Sequence, residues 1–342
     1  MRGKTQAFFC GCWVGLVFLL LVGGLSLAAE RDKVSFNSDW LFYGRDLGWF
    51  TAQGKGFYTE AGLDVKIVRG YGSGDTVKKV ATGTNDYGNA DMGVLVKARA
   101  QGMKLKAIGI IHDKSLHVIF TTKDKGIQKP KDLEGHTIGV PQGSAPHQMF
   151  SALASVNGVD LSKVKWVFMS PPATIPSVIS GKVDATVTFN TVKHIFSAKA
   201  RAAGKEPVSI LYSDHGVDLY SSAFITTEQR IREKRDQVRR FIGATYKGIA
   251  YAVEHPEEAT DIFMKYNPTT TRKAVLATWH IVMDHLLTPT ALKMGIGYQT
   301  REKTEYTRDI MMKYGGVSVR VPVEDVYTNE FLPKLFPKRP KR

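Results

Sequence analysis

Short apolar runs alternate with stretches of helical spacing through the first two-thirds of the chain, the pattern of a parallel sheet covered by helices. Runs at 34–37, 65–68, 107–111 and 137–140 read as strands. Between the first two, GWFTAQGKGFYTEA (48–61) reads as one helix carrying Phe50, Phe57 and Tyr58 and stopped by Gly62. A Gly-rich turn, Gly70-Tyr71-Gly72-Ser73-Gly74, follows the second strand; a helix starts near Asp75 and a further strand ends at Asn89-Ala90-Asp91. Glycines let the backbone approach a bound group closely, and the free N–H groups at a helix start point toward a polar or anionic atom. The unit recurs lower down, as strand 137–140, Gln142-Gly143-Ser144 and a helix from near Pro146. Two such units, one per half, predict two lobes facing one ligand across a cleft.

The βα rhythm continues through 164–169, 174–180, 185–188, 191–203 and 208–212. The strands at 117–122 (HVIFTT) and 222–226 are alike in type and are read as neighbours, the crossovers between lobes. That makes 29–118 and 220–342 one discontinuous lobe and 119–219 an inserted second lobe. In the last third, Val238, Phe241, Ile242, Thr245, Ile249, Ala252 and Val253 recur at helical spacing, and 257–265, 271–287 and 301–314 complete a helical cap with Phe263, Trp279 and Met283 as core.

The first 28 residues change the picture. Arg2 and Lys4 precede an apolar core at 14–21, and Ser26-Leu27-Ala28 supplies small residues, so this segment reads as a secretory signal cleaved before Ala29. The expected location is the periplasm. Cys10 and Cys12 are the chain's two cysteines. Cys10 lies ahead of the apolar core, not after it as a lipid-bearing cysteine would. The mature chain is then cysteine-free, which excludes disulfides, thiolate metal sites and a cysteine nucleophile. The formal charge of +15 is spread along the chain, densest at 230–240 and 338–342, with no nucleic-acid-binding motif beside it. An anionic membrane surface is the better-matched partner.

Candidate chemistry gathers after strand ends. Trp40 and Tyr43 follow the first strand, at the carboxyl end where α/β sheets bind ligands. A flat ring stacked there would gain about 1–3 kcal/mol by analogy with base–aromatic stacking; a packing cluster between lobes is the opposing reading. Tyr71, Ser73 and Gly74 offer a hydroxyl and backbone donors, or form an ordinary capped turn. Asn89 and Asp91 end a strand, and Asp91 equally reads as a helix cap. Gln142, Ser144 and His147 stand at the second helix start, His147 either reading an acidic ligand or facing solvent. Phe189 and Asn190 approach from the far side, and Asp218 lies near the return crossover. The rings of Trp40, Tyr43, Tyr71 and Phe189 are read as converging. GYGSGD is neither a Walker A loop nor a dinucleotide fingerprint; H-E-x-x-H, G-x-S-x-G and acidic clusters of metal-ligand spacing are missing, and His112, His117, His194 and His215 are scattered. No catalytic residue, metal or cofactor is expected.

Asp39-Trp40, GWFTAQGKGFYTEAGLDVKIVRG (48–70), Asn89-Ala90-Asp91 and KDLEGHTIGVPQGS (131–144) resemble the periplasmic solute-binding proteins of ABC importers. The nearer likeness is to the branch shared by NMT1/THI5-like thiamine-pyrimidine-precursor binders and nitrate, sulfonate and taurine binders, over about 34–263. The resemblance implies an α/β, two-lobe, type II Venus-flytrap fold with a helical C-terminal region, closing on a small molecule and docking as a monomer on an inner-membrane permease. Trp40 matches the Trp that stacks on the pyrimidine in the precursor binders, whereas Phe42-Tyr43-Gly44-Arg45 stand where those have an Asn/His pair. The expected ligand is a planar heteroaromatic, pyrimidine- or flavin-like; a small oxyanion such as an alkylsulfonate, taurine or nitrate is the alternative. An enzyme of pyrimidine synthesis or a menaquinone pathway on the same fold is the opposing class, against which the signal and missing cysteines argue. An exported sensor partner would share every feature of a transport protein.

Overall fold

The computed structural model describes residues 1, 3 and 30–340; nearly all of the expected secretory segment, with Cys10, Cys12 and the cleavage site, lies outside the described residues. Among the described residues no helix is long and apolar enough to cross a membrane. Ten strands are present among them: β1 (Asp32–Ser38), β2 (Leu63–Arg69), β3 (Tyr87–Asp91), β4 (Leu105–Ile110), β5 (His117–Thr122), β6 (Thr137–Val140), β7 (Lys165–Phe168), β8 (Ala185–Phe189), β9 (Pro207–Leu211) and β10 (Ser222–Thr227). They form two five-stranded sheets of the same design, ordered β2-β1-β3-β10-β4 and β7-β6-β8-β5-β9. In each, the first three strands are parallel and the fourth runs antiparallel to both its neighbours.

The expectation that the strands at 117–122 and 222–226 are neighbours fails. β5 pairs with β8 and β9, whereas β10 pairs with β3 and β4. Each is buried along almost its whole length and hydrogen-bonded on both edges within its own sheet, so neither has an edge left for the other. The contact between crossings involves the first residue of β10 and the segment leading into β5: Ile111 and His112 donate their N–H groups to Ser222 O (2.8 and 3.1 Å), and Ser221 N–H donates to His112 O (3.1 Å). Each antiparallel strand begins where a parallel neighbour ends, His117 opposite Phe189 and Ser222 opposite Asp91. Both crossings therefore run beside the carboxyl ends of the parallel strands.

The segment 48–61 is two helices, Leu47–Gly54 and Phe57–Glu60, because Gly56 between them takes a left-handed conformation (φ 75°). The first packs against the 20-residue helix Arg235–Glu254 through glycines: a Cβ on Gly248 would lie 2.6 Å from Ala52 Cβ and against Gly48 O. Phe241 of that long helix stacks on Tyr87 (4.0 Å between centroids) and Tyr58 (6.0 Å) and tilts against Phe36 (5.6 Å). A fully buried ring of this kind is worth about 2–3 kcal/mol of transfer free energy. Trp279, Met283 and Phe263 are buried as expected, with Trp279 Nε1 donating to Ala252 O (2.9 Å). In the second lobe, Phe120 of β5 stacks on Phe196 at 4.6 Å.

Candidate ligand site between the lobes

The carboxyl ends of the parallel strands of both sheets meet across the boundary between lobes. Gly72 holds a φ of 122° that a side chain would strain, and Gly74 N–H donates to Gly143 O of the other lobe (3.3 Å). The two glycine-rich turns thus touch directly. A second contact crosses nearby, Tyr43 Oη at 3.0 Å from Thr191 Oγ1. Burial pushes the Tyr43 hydroxyl up to about 12, so it stays protonated as a neutral hydrogen-bonding group.

Behind these contacts lies a buried polar network built on Asp39, the first residue after β1. Its Oδ1 accepts from Arg45 Nη2 (2.6 Å) and Asn89 Nδ2 (3.3 Å), its Oδ2 accepts from Ser73 Oγ (2.7 Å), and its N–H donates to Asn89 Oδ1 (2.8 Å). Ser73 Oγ accepts in turn from Asp91 N–H (3.1 Å). Asp91 caps the helix Met92–Ala100 by accepting from Gly93 N–H (3.0 Å), and also accepts from Ser221 Oγ (3.3 Å). His117 Nε2 lies 2.9 Å from Asp91 Oδ2, within ion-pair range but not aligned as a hydrogen bond. Asp91 therefore fills the capping role and faces the second lobe as well.

Arg45 comes from the short turn Gly44–Asp46 and is fully buried. Burial works against its charge, but Asp39, together with Tyr43 and Asp46, outweighs that cost and holds its pKa above the ordinary value. Its guanidinium lies 5.3 Å from the Tyr43 ring centre and 5.8 Å from that of Phe189, one ring from each lobe. Neither Nε nor Nη1 has a hydrogen-bond partner. Asp46 beside it accepts from Ser38 Oγ (2.7 Å) and Tyr43 N–H (2.8 Å), and burial pushes its carboxyl up to about 6. His112, also fully buried with both ring nitrogens unpartnered, is held well below its ordinary pKa by burial and by Arg45, His285 and His117.

Of the residues singled out in the sequence, Tyr43, Ser73, Asn89, Asp91 and Phe189 belong to this cluster, Phe189 packing at 5.6 Å from the His117 ring. Trp40 sits half-buried in the loop directly after Asp39. Ser144 Oγ and Asn190 Oδ1 are buried without partners. Tyr71 does not converge with the other rings. The glycines flanking it turn it outward, 59 % exposed, with Arg69 and Lys79 over its ring at 4.8 and 5.5 Å. With Gly74 and the exposed Gln142 it lines a groove of about 540 Å³ across both lobes, which also holds Lys97 and Gln148. His147 packs edge-on against Trp166 (4.6 Å) and Phe168 (5.5 Å) of its own lobe, and burial lowers its pKa. Asp218 braces the crossings, accepting from Ser115 N–H (3.1 Å) with Lys303 Nζ at 3.9 Å.

Arg45 and His112 are functional candidates that strand-end reasoning misses; Asp39, directly after β1, and His117, the first residue of β5, stand where it applies but are not among those singled out. Arg45-Asp46 does carry a signal: it interrupts an apolar and aromatic stretch from Leu41 to Phe50, and charges in such a run are kept only when paired.

Two equivalent α/β sheets meeting at their strand ends define the two-lobe periplasmic-binding-protein fold. The alkanesulfonate-binding protein SsuA from Xanthomonas axonopodis pv. citri, solved bound to MOPS, superposes with a TM-score of 0.68 at 14% identity, over 88% of this chain and 99% of that one. The chain belongs to the NMT1/THI5-like family, whose model matches residues 46–259. Among curated relatives, the riboflavin-binding protein RibY of Chloroflexus aurantiacus is 22% identical over 292 residues, 83% of this chain and 82% of the relative. A Bacillus subtilis protein named for aliphatic sulfonate binding is 23% identical over 331 residues, 94% of each chain. Two further relatives are named as 4-amino-5-hydroxymethyl-2-methylpyrimidine phosphate synthase.

Proposed function

We propose that the protein is the substrate-binding subunit of an ABC-type importer, capturing a small planar compound between its lobes and presenting it to a membrane permease. The observation that carries this reading is the pair of rings, Tyr43 from one lobe and Phe189 from the other, closing on the buried Arg45. A ligand touching both lobes favours the closed form, which is the signal a permease reads. The named roles of RibY and the sulfonate-binding relatives support a binding role over turnover. Under this reading Trp40 and Tyr43 stack against the ligand, while Ser144 and Asn190 supply polar contacts from the second lobe. A small oxyanion is the second reading, favoured by the unpaired Arg45 donors.

A thermal-shift screen of residues 29–342 against aminopyrimidines, thiamine, riboflavin, alkylsulfonates and nitrate tests it, with Trp40→Ala in parallel. A ligand at a hundredfold excess over Kd stabilises by about 2.7 kcal/mol. Stabilisation by a flat heterocycle that Trp40→Ala abolishes supports the proposal. Stabilisation by sulfonates or nitrate alone favours the oxyanion reading, and conversion of any of these compounds refutes a pure binding role.

A further inference from the structure

We propose that the compound held in this cleft is an aromatic or heteroaromatic acid, and that Arg45 is the counter-ion of its carboxylate or sulfonate. This rests on the reading of the cleft as a small-molecule site and specifies which molecules it admits. Arg45 is fully buried, yet one of its three nitrogens is hydrogen-bonded, Nη2 to Asp39. The Tyr43 and Phe189 rings, one from each lobe, lie 5.3 and 5.8 Å from the guanidinium carbon, and Nε and Nη1 are left for an acceptor.

No neighbouring side chain fills that need. Asp39 accepts from Arg45 Nη2, Asn89 and Ser73, and Asp46 from Ser38 and the Tyr43 N–H; neither carboxylate accepts from Arg45 Nε or Nη1. A buried donor without an acceptor is costly, and more so on a charged group. A neutral carbonyl on a ligand would satisfy one donor; an acid oxygen would satisfy it with a charge-assisted bond, the stronger kind. The two rings beside the cation, with Trp40 in the adjoining loop, then select for an acid whose body is flat. His112 does not compete as the anion's partner, because burial and the nearby Arg45 keep its imidazole neutral.

The test is titration calorimetry on matched pairs that differ in the acid group: benzoate with benzamide, benzenesulfonate with benzenesulfonamide, and orotate with uracil. The acid member should bind at least about tenfold tighter, since charged hydrogen bonds are the stronger class. The benzoate and benzenesulfonate arms separate carboxylate from sulfonate. The preference should hold from about pH 7 to about pH 9, because a guanidinium does not titrate there. In the variant Asp39→Asn/Arg45→Gln/Asp46→Asn, which removes the buried cation together with both buried carboxylates beside it, the ratio should fall to within about twofold. Equal binding of acid and neutral members by the wild type overturns the inference and leaves the cleft as a ligand site. A preference that fades above neutral pH overturns it too, transferring the role to an imidazole, and needs no variant that folds. Binding by none of these pairs, nor by the wider screen above, takes down the cleft reading and this inference together.

Discussion

Replacing Asp46 with asparagine offers a direct measure of what the buried cluster beneath the cleft costs the fold. The Asp46 carboxyl is fully buried, and burial pushes its pKa up from 3.8 to about 6. The folded protein therefore holds this proton more tightly than the unfolded chain does. The group costs no stability while both states are protonated, below about pH 4, and its penalty grows as pH rises through 4 to 6. At about 1.4 kcal/mol per pKa unit, a shift of about two units amounts to a loss of about 2–3 kcal/mol by neutral pH. An asparagine here would keep the local bonds, with its carbonyl accepting from Tyr43 N–H and its amide donating to Ser38 Oγ, while removing the titration. Urea unfolding of both proteins at about pH 4.5 and about pH 7.5 gives the comparison, other groups cancelling in the difference. Asp46→Asn should gain about 2 kcal/mol on the wild type over that interval. A difference flat within about 0.5 kcal/mol would refute the assignment and mean that Arg45 stabilises Asp46 as an anion as strongly as burial disfavours it.

Packing sets three other outcomes. Phe241→Ala removes the ring that stacks on Tyr87 and Tyr58, and should cost about 3–5 kcal/mol in urea unfolding; less than about 1 kcal/mol would mean the neighbouring helices collapse into the space. Gly248→Ala places a methyl 2.6 Å from Ala52 Cβ and should cost about 1–3 kcal/mol, since two helices must part to admit it; an unchanged midpoint would contradict that contact. Gly72→Ala combines a φ of 122° with a Cβ 3.0 Å from Gly143 O of the opposite lobe, so small-angle scattering should show a more open particle than wild type. An unchanged radius of gyration would mean that the two turns yield without the lobes separating.

The alternation of strand and helix was legible because each unit carries its own punctuation, apolar run, glycine turn and helix start within some twenty-five residues. The strands that complete the two sheets were not. HVIFTT and SAFITT advertise burial on both faces, and burial says nothing about which strands lie alongside. Their partners are fixed by segments 63 to 140 positions distant, as the bonds from Thr121 Oγ1 to Asp184 O and from Thr226 Oγ1 to Asp86 O show. The likeness in composition between these two strands marks an equivalent place in two like sheets, which is not adjacency.

The site divides along the same line. Ser73, Asn89, Asp91 and Phe189 could be found because each stands at or beside the end of a recognisable strand, where the ladder stops and side chains turn toward the opposite lobe. Arg45 could not be found that way, since it sits in a short turn and acquires its meaning from distant groups. Asp39 supplies one acceptor, and its carboxylate also accepts from Ser73 and Asn89, 34 and 50 positions away. Phe189, from the other lobe, and Tyr43 both bring a ring close to the cation's central carbon, at 5.8 and 5.3 Å. An arginine with a carboxylate six residues away reads in sequence as a completed ion pair; only the fold shows that two of its three nitrogens are left without an acceptor. Those two open donors, on a fully buried group with a ring from each lobe beside it, are the observation on which the proposed recognition of an acid rests.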